Sequence, residues 1–304
     1  MFKGNLLILI STIFFGINLP AIKFLIPDWM SGMDVAAMRI AGGALFFWIA
    51  SLFVKTPKIE RNDWKYILLG GFVGLFAFLF LFCVSLRYAS PIDVSIIMTT
   101  PPLMVILYGV FFQKRPISVV GLLGAFISLG GAAFVILAQT HSNPAVASNP
   151  IKGDLIAVAS AVCYAFYLIV IEQPSKKYSS IGLMRWLFLF AAIAAIPLYF
   201  AMPHAGIFHH QAEFKPIFWA AFVVVGPTFI AYLLIPPAIR AVGSKIVSLY
   251  QYLIPVGAII ASSLMGIEQM KWTQPVAVAI IIIGMIMTER SKPKTPVAPQ
   301  PAKM

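Results

Sequence analysis

Apolar runs of about twenty residues recur from one end of the chain to the other, and short stretches with turn or charge signals separate them. They cover residues 5–26, 33–54, 64–85, 90–112, 118–138, 153–171, 182–201, 217–239, 243–265 and 273–288. A helix that crosses a bilayer needs about 20 mainly apolar residues, so ten of them use about 200 positions. That leaves about 100 of the 304 residues for connections and ends. Apolar residues make up 61% of the chain, against roughly 45 to 50% in a soluble domain. No segment free of such runs approaches the roughly 50 residues that a separate core requires. The pattern predicts an all-α integral membrane protein of ten transmembrane helices and excludes a soluble enzyme domain. Met1-Phe2-Lys3 leads into the first run with no small-x-small cleavage site, which reads as a retained first helix. Cys83 and Cys163 both lie inside apolar runs and read as packing residues.

The net charge of +12 does not indicate nucleic acid, because charged residues are only 11% of the chain and the basic ones cluster between apolar runs. Their distribution reports topology instead. With the N-terminus in the cytoplasm, inner connections hold Lys3, Lys55, Lys58, Arg61, Lys65, Lys114, Arg115, Lys176, Lys177, Arg240, Lys245, Arg290, Lys292, Lys294 and Lys303. The outer side holds Lys23, Arg87, Lys152, Lys215 and Lys271, with Arg39 and Arg185 inside spans. This asymmetry places both termini in the cytoplasm of a multi-pass cell-membrane protein, with the connections 139–152 and 202–216 outside. The tail from residue 289, rich in Pro, Lys and Ala, is expected to be disordered.

Short motifs recur in order at a nearly constant offset. Gly4-Asn5-Leu6 returns as Gly153-Asp154-Leu155 and Met38-Arg39 as Met184-Arg185. Ser95 matches Ser248, Pro102 matches Pro255, and Gly131 matches Gly284. The chain thus divides into a first five-helix repeat (1–138), a connection (139–152), a second repeat (153–288) and the tail (289–304). Five is odd, so the second repeat enters the membrane from the opposite side. Inverted repeats of this kind recur in secondary transporters, where exchanging the conformations of the halves exchanges the open side.

Phe15-Gly16-Ile17-Asn18-Leu19-Pro20-Ala21-Ile22-Lys23 resembles the opening helix of the EamA family in the drug/metabolite transporter superfamily. Arg39, Gly153-Asp154-Leu155 with Ala161, Tyr164 and Ala165, and Pro255 followed by Glu268 extend the resemblance over residues 4 to 288. It implies a 5+5 carrier of small metabolites, often an exporter of amino acids or related compounds, with a central cavity between the halves. A nucleotide-sugar or phosphorylated-metabolite antiporter of the same superfamily is the alternative. Such a carrier is expected to place more Lys and Arg deep in the cavity than Lys23 and Arg39. Where the family has a Glu at the end of helix 4, this chain has Arg115.

Several residues are candidates for substrate binding and translocation. A charge at membrane depth snorkels, pairs or faces a water-filled path. Lys23 fits either an anchoring role, paired with Asp28 or Asp34, or a substrate contact. Arg39 lies a turn deeper and suits a two-pronged grip on a carboxylate. Arg185 reads as an interfacial anchor. Ser248, Gln251, Tyr252 and Ser262 share one helical face around Pro255, and Ser95 and Thr99 around Pro102 form the counterpart in the first repeat. One polar stripe alone is helix glue worth about 1 kcal/mol per bond or less; two related stripes predict one cavity. Asn18 beside Pro20 either satisfies the carbonyl that proline frees or faces substrate. Pro20, Pro102 and Pro255 are candidate hinges. Tyr164, Tyr167 and Tyr232 would form an aromatic wall, and His204, His209 and His210 share an outer loop.

No Asp or Glu falls at the centre of a span, since Asp34, Asp93, Asp154, Glu172, Glu268 and Glu289 all sit at helix ends. The sequence therefore offers no mid-membrane proton relay, and facilitated diffusion or exchange fits it equally well. It has no P-loop and no catalytic or metal-ligating cluster within the spans. A non-enzymatic carrier without cofactor is expected, whose partners are a small-molecule substrate and the lipid bilayer, with no nucleic acid. Oligomeric state leaves no mark in the sequence.

Overall fold

The computed structural model describes residues 2–26, 28–112, 118–137, 147–201 and 213–290. These residues are mostly helical, with no strand among them. Helix α1 spans Phe2–Leu25, α2 Gly32–Leu52, α3 Arg61–Tyr88, α4 Pro91–Phe111 and α5 Val119–Leu137. Helix α6 spans Pro150–Val170, α7 Ser180–Ala201, α8 Phe214–Ser244, α9 Ile246–Leu264 and α10 Thr273–Arg290. Eight of them are long and apolar enough to cross a bilayer, while the apolar stretches Val119–Gly131 and Thr273–Gly284 are shorter. The expected histidines of the 202–216 connection, most of the 139–152 connection, Lys114, Arg115 and the tail from Ser291 lie outside the described residues.

Local chemistry sets the boundaries. Ser31 and Asp34 close a reciprocal capping box at the start of α2. Ser90 caps α4 by accepting from the Asp93 N–H, with Pro91 in the first turn where its missing N–H costs nothing. Gly243, at φ +85°, separates α8 from α9 because a side chain would disfavour that conformation. At the far end of α9, Gly266 is left-handed (φ +67°). Its N–H donates to Ser263 O and that of Ile267 to Ser262 O, a double bond pattern that stops the helix and turns the chain toward Glu268.

Large apolar side chains such as Leu52, Phe111, Phe200 and Leu264 are exposed around the bundle, a surface suited to lipid as solvent. Inside, one main core joins α1, α2, α3, α4, α6, α7, α8 and α9. A satellite core of Ile92, Ile96, Ala277 and Ile281 attaches α10, and Phe134 of α5 packs on it. Helices α5 and α10 lie so close that a Cβ on Gly284 would stand 2.5 Å from Gly124 O. Ser128 Oγ donates to Ile281 O across the same seam at 3.0 Å. Helices α1 and α9 cross backbone to backbone, with a Cβ on Gly16 falling 2.9 Å from Gly257 Cα.

Four helices depart from regular α geometry. Helix α3 contains a π segment at Gly70–Ala77, and α8 another at Val224–Ile230. Helix α4 breaks after Ile97 and restarts at Pro101, because prolines 101 and 102 cannot continue the ladder. In α9 a 3-10 turn, Tyr250–Leu253, precedes the segment that starts at Ile254 and Pro255.

Candidate functional site

A small cavity lies where α1, α2, α3, α4, α6 and α9 meet, and Asn18, Arg39, Phe82, Met98, Tyr164 and Gln251 are among the residues lining it. Its free volume of about 20 Å³ is room for roughly one water molecule. The expected candidates Asn18, Arg39, Tyr164 and Gln251 come together here from both halves of the chain.

Arg39 is 1% exposed, and among the described residues no carboxylate lies within ion-pair distance of it. Its Nε donates to Thr228 Oγ1 at 2.9 Å. That hydroxyl is aimed by the π segment of α8, since it donates to Val223 O five residues back. The guanidinium carbon sits 5.8 Å from the centre of the Phe82 ring. Among the described residues its Nη1 has no hydrogen-bond partner, and neither has Asn18 Oδ1 of α1. A permanent charge buried with an idle donor is expensive, by several kcal/mol as an order of magnitude. Opposite, Gln251 Nε2 donates to the Tyr164 hydroxyl at 3.3 Å. Tyr164 stacks on Tyr167, which meets Tyr232 edge to face, so the three tyrosines form one buried cluster.

The other candidates lie elsewhere. Ser95 and Thr99 are buried, and each hydroxyl donates to the carbonyl three residues back. Ser248 is buried, and Tyr252 packs against the satellite core. Pro20 lies within α1, whereas Pro102 and Pro255 open the second segments of α4 and α9. Arg185 lies between the Trp48 and Trp186 rings, at 5.5 and 5.4 Å. Asp34, one of the two candidate partners of Lys23, is engaged by its cap and by the Tyr199 hydroxyl.

Lys23 serves one end of the bundle. Its ammonium donates to Leu86 O at 2.7 Å and to Ala89 O at 3.1 Å, satisfying the C-terminal carbonyls of α3. Three carboxyl groups converge at this Lys23 end: Asp93 of α4, Asp154 of α6 and Glu268 between α9 and α10. They are 3%, 0% and 8% exposed. Gln274 Nε2 bridges Asp93 Oδ1 at 3.2 Å and Glu268 Oε1 at 3.3 Å. Ile92 N–H donates to Glu268 Oε2. Burial pushes the Glu268 carboxyl up to about 7; Asp93 adds to the rise, and hydrogen bonds from Ser90, Ile92 and Gln274 oppose it. The opposite end is held by exposed charges. Lys177 meets Glu60 at 2.6 Å and Asp63 at 2.9 Å, and the Tyr178 hydroxyl donates to Asp63 at 2.7 Å. Arg240 donates to Ser175 O and Tyr178 O in the turn after α6.

Sequence reasoning missed the convergence of the three carboxyls, because each alone reads as a helix-end residue. The Gly266 stop followed by Glu268, placed beside the Ser90-Pro91-x-Asp93 cap, was the available signal.

A sequence model described as the EamA-like transporter family matches residues 2–137 and 151–290. The uncharacterized transporter YyaM of Bacillus subtilis is 26% identical over 282 residues, covering 90% of each chain. An uncharacterized transporter of Archaeoglobus fulgidus is 25% identical over 250 residues, 81% of each chain. A solved crystal structure superposes with a TM-score of 0.63 over 92% of this chain and 94% of that one; at 18% identity it shows the shared fold.

Proposed function

The chain belongs to the EamA-like transporter family and is a multi-pass membrane protein; from that premise we propose that it is a secondary carrier of small metabolites bearing a carboxylate, amino acids or related compounds, which it exports from the cell. In this reading ten spanning helices form two inverted five-helix halves. The cavity between them opens alternately to the Lys23 end, facing outside, and the Lys177 end, facing the cytoplasm. Paired irregularities support the two halves: a π segment in the third helix of each, and a proline-led restart in the fourth. Discontinuous helices at the repeat interface are where such carriers hold their substrates.

The observation that carries the substrate class is Arg39, a buried guanidinium lining a cavity, with an idle Nη1 and no neutralising carboxylate among the described residues. An anionic group supplied by the substrate completes the site, with Asn18 and Gln251 to orient it. Arg39 is the single cation lining the cavity among the described residues, which suits one carboxylate better than the two or more phosphates of a nucleotide sugar. A proteoliposome screen of uptake and exchange across amino acids, organic acids and nucleotide sugars tests the proposal. Exchange of nucleotide sugars without any carboxylate compound would overturn it.

A further inference from the structure

We propose that Asp93, Asp154 and Glu268 form a proton-binding site that joins the two halves at the Lys23 end, loaded when that end is closed and empty when it opens. The site spans the halves: Asp93 comes from α4, while Asp154, Glu268 and Gln274 come from α6 and the α9–α10 region. Closure therefore brings like charges together across the moving interface. Asp154 is the independent indicator. Both of its oxygens are buried without a hydrogen-bond partner among the described residues, it is 0% exposed, and it is close enough to Asp93 and Glu268 to feel both charges. An ionised carboxylate in that position is a full charge with no donor to replace water, whereas a protonated one buries no charge.

The surroundings do not neutralise three negative charges. Among the helices packed on α4, α1 contributes Lys23, which feels Glu268 but spends its hydrogen bonds on two carbonyls. Arg87 of α3 and Lys152 of α6 lie over the Tyr88 ring. Lys271 is half-buried beside Gln274, to which its N–H donates. The sequences of α5 and α9 hold no ionisable side chain between Val119 and Leu137 or between Ile246 and Leu264 apart from the tyrosines 250 and 252, and α10 bears its charges at the far end. No three acidic, histidine or cysteine side chains among the described residues converge as a metal ion requires. Carboxyl groups that feel one another's charge in so dry a place relieve the repulsion by binding a proton. Because the closed end binds the proton more tightly than the open end, acid outside favours closure by linkage.

What closure accomplishes rests on the carrier reading above; the proton site itself does not. Infrared difference spectra of the purified protein between about pH 5.5 and about pH 8.5 test the site directly. A protonated-carboxyl band is expected to disappear with a midpoint near neutrality. It should be diminished in Asp93→Asn, Asp154→Asn and Glu268→Gln and retained, at a shifted midpoint, in Glu268→Asp. An unchanged titration in all three amide variants overturns the site. The gate is tested with Met98→Cys in a protein lacking Cys83 and Cys163. Labelling of this cavity position by an impermeant thiol reagent is normalised to Ser148→Cys, an exposed position that corrects for ionisation of the thiol. The ratio should rise several-fold from acid to alkaline pH and become flat in the double variant Asp93→Asn, Glu268→Gln. A flat ratio in the parent overturns coupling of the proton to closure. A failed substrate screen would instead sink the carrier reading and leave the carboxyl titration standing.

Discussion

Lysine and arginine carry the same charge, yet at position 39 they are not equivalent. The guanidinium spreads its donors in a plane, holding Thr228 with Nε and leaving Nη1 for a ligand; an ammonium cannot do both. Arg39→Lys should therefore cost substrate affinity on the order of 2 to 5 kcal/mol, read as a raised half-saturation in proteoliposome exchange at matched protein amount. Wild-type affinity in both Arg39→Lys and Arg39→Gln would make it a structural anchor. Glu268 yields a second expectation. Its folded value of about 7 lies above the ordinary 4.5, so the folded state holds the proton more tightly. Its contribution to stability is complete below about pH 4.5 and is lost as pH rises through about 7. Thermal unfolding in detergent should show a lower melting temperature at about pH 8 than at about pH 5, with a smaller difference in Glu268→Gln. Arg39 was legible in the sequence because a cation at membrane depth needs an explanation. The carboxyl cluster was not, because burial of a helix end depends on which other helix ends surround it.

At the level of the helix, the close crossings carry the largest constraints. A side chain on Gly257 would stand 3.1 Å from Gly16 Cα, and backbone cannot swing aside as a flexible side chain can. Gly257→Ala should destabilise the protein by roughly 1 to 3 kcal/mol. Gly130 is the control, for nothing lies within 4 Å of an added Cβ. Gly130→Ala should leave the melting temperature unchanged or raise it, since alanine loses less freedom in a helix. Equal losses in the two variants would contradict the α1–α9 contact. Hydropathy located the long helices to within a few residues, because length and apolar content are properties of the segment itself. The π segments escaped it. A widened turn at Gly226-Pro227-Thr228 or at Gly70-Gly71 follows from how neighbouring helices take up the freed carbonyls, as Ser160 does at Phe78 O.

For the whole molecule, the proposed orientation rests on the basic asymmetry of the connections. Ser148→Cys should be labelled from outside intact cells by an impermeant reagent, and Lys58→Cys only after permeabilisation, both in a background without Cys83 and Cys163. The reverse pattern would invert the assigned topology. The two ends of the bundle carry unlike chemistry: buried carboxyls at the Lys23 end, exposed ion pairs of Lys177 with Glu60 and Asp63 at the other. Salt screens the exposed pairs and leaves the buried groups nearly untouched, while acid acts first on the buried site. Reconstitution inserts membrane proteins in either direction, and this asymmetry distinguishes the two populations. Molecules whose Lys23 end faces the bath respond to added acid; molecules inserted the other way respond to added salt. The ratio of the two responses counts the sidedness of a vesicle preparation without an antibody, a protease or a tag.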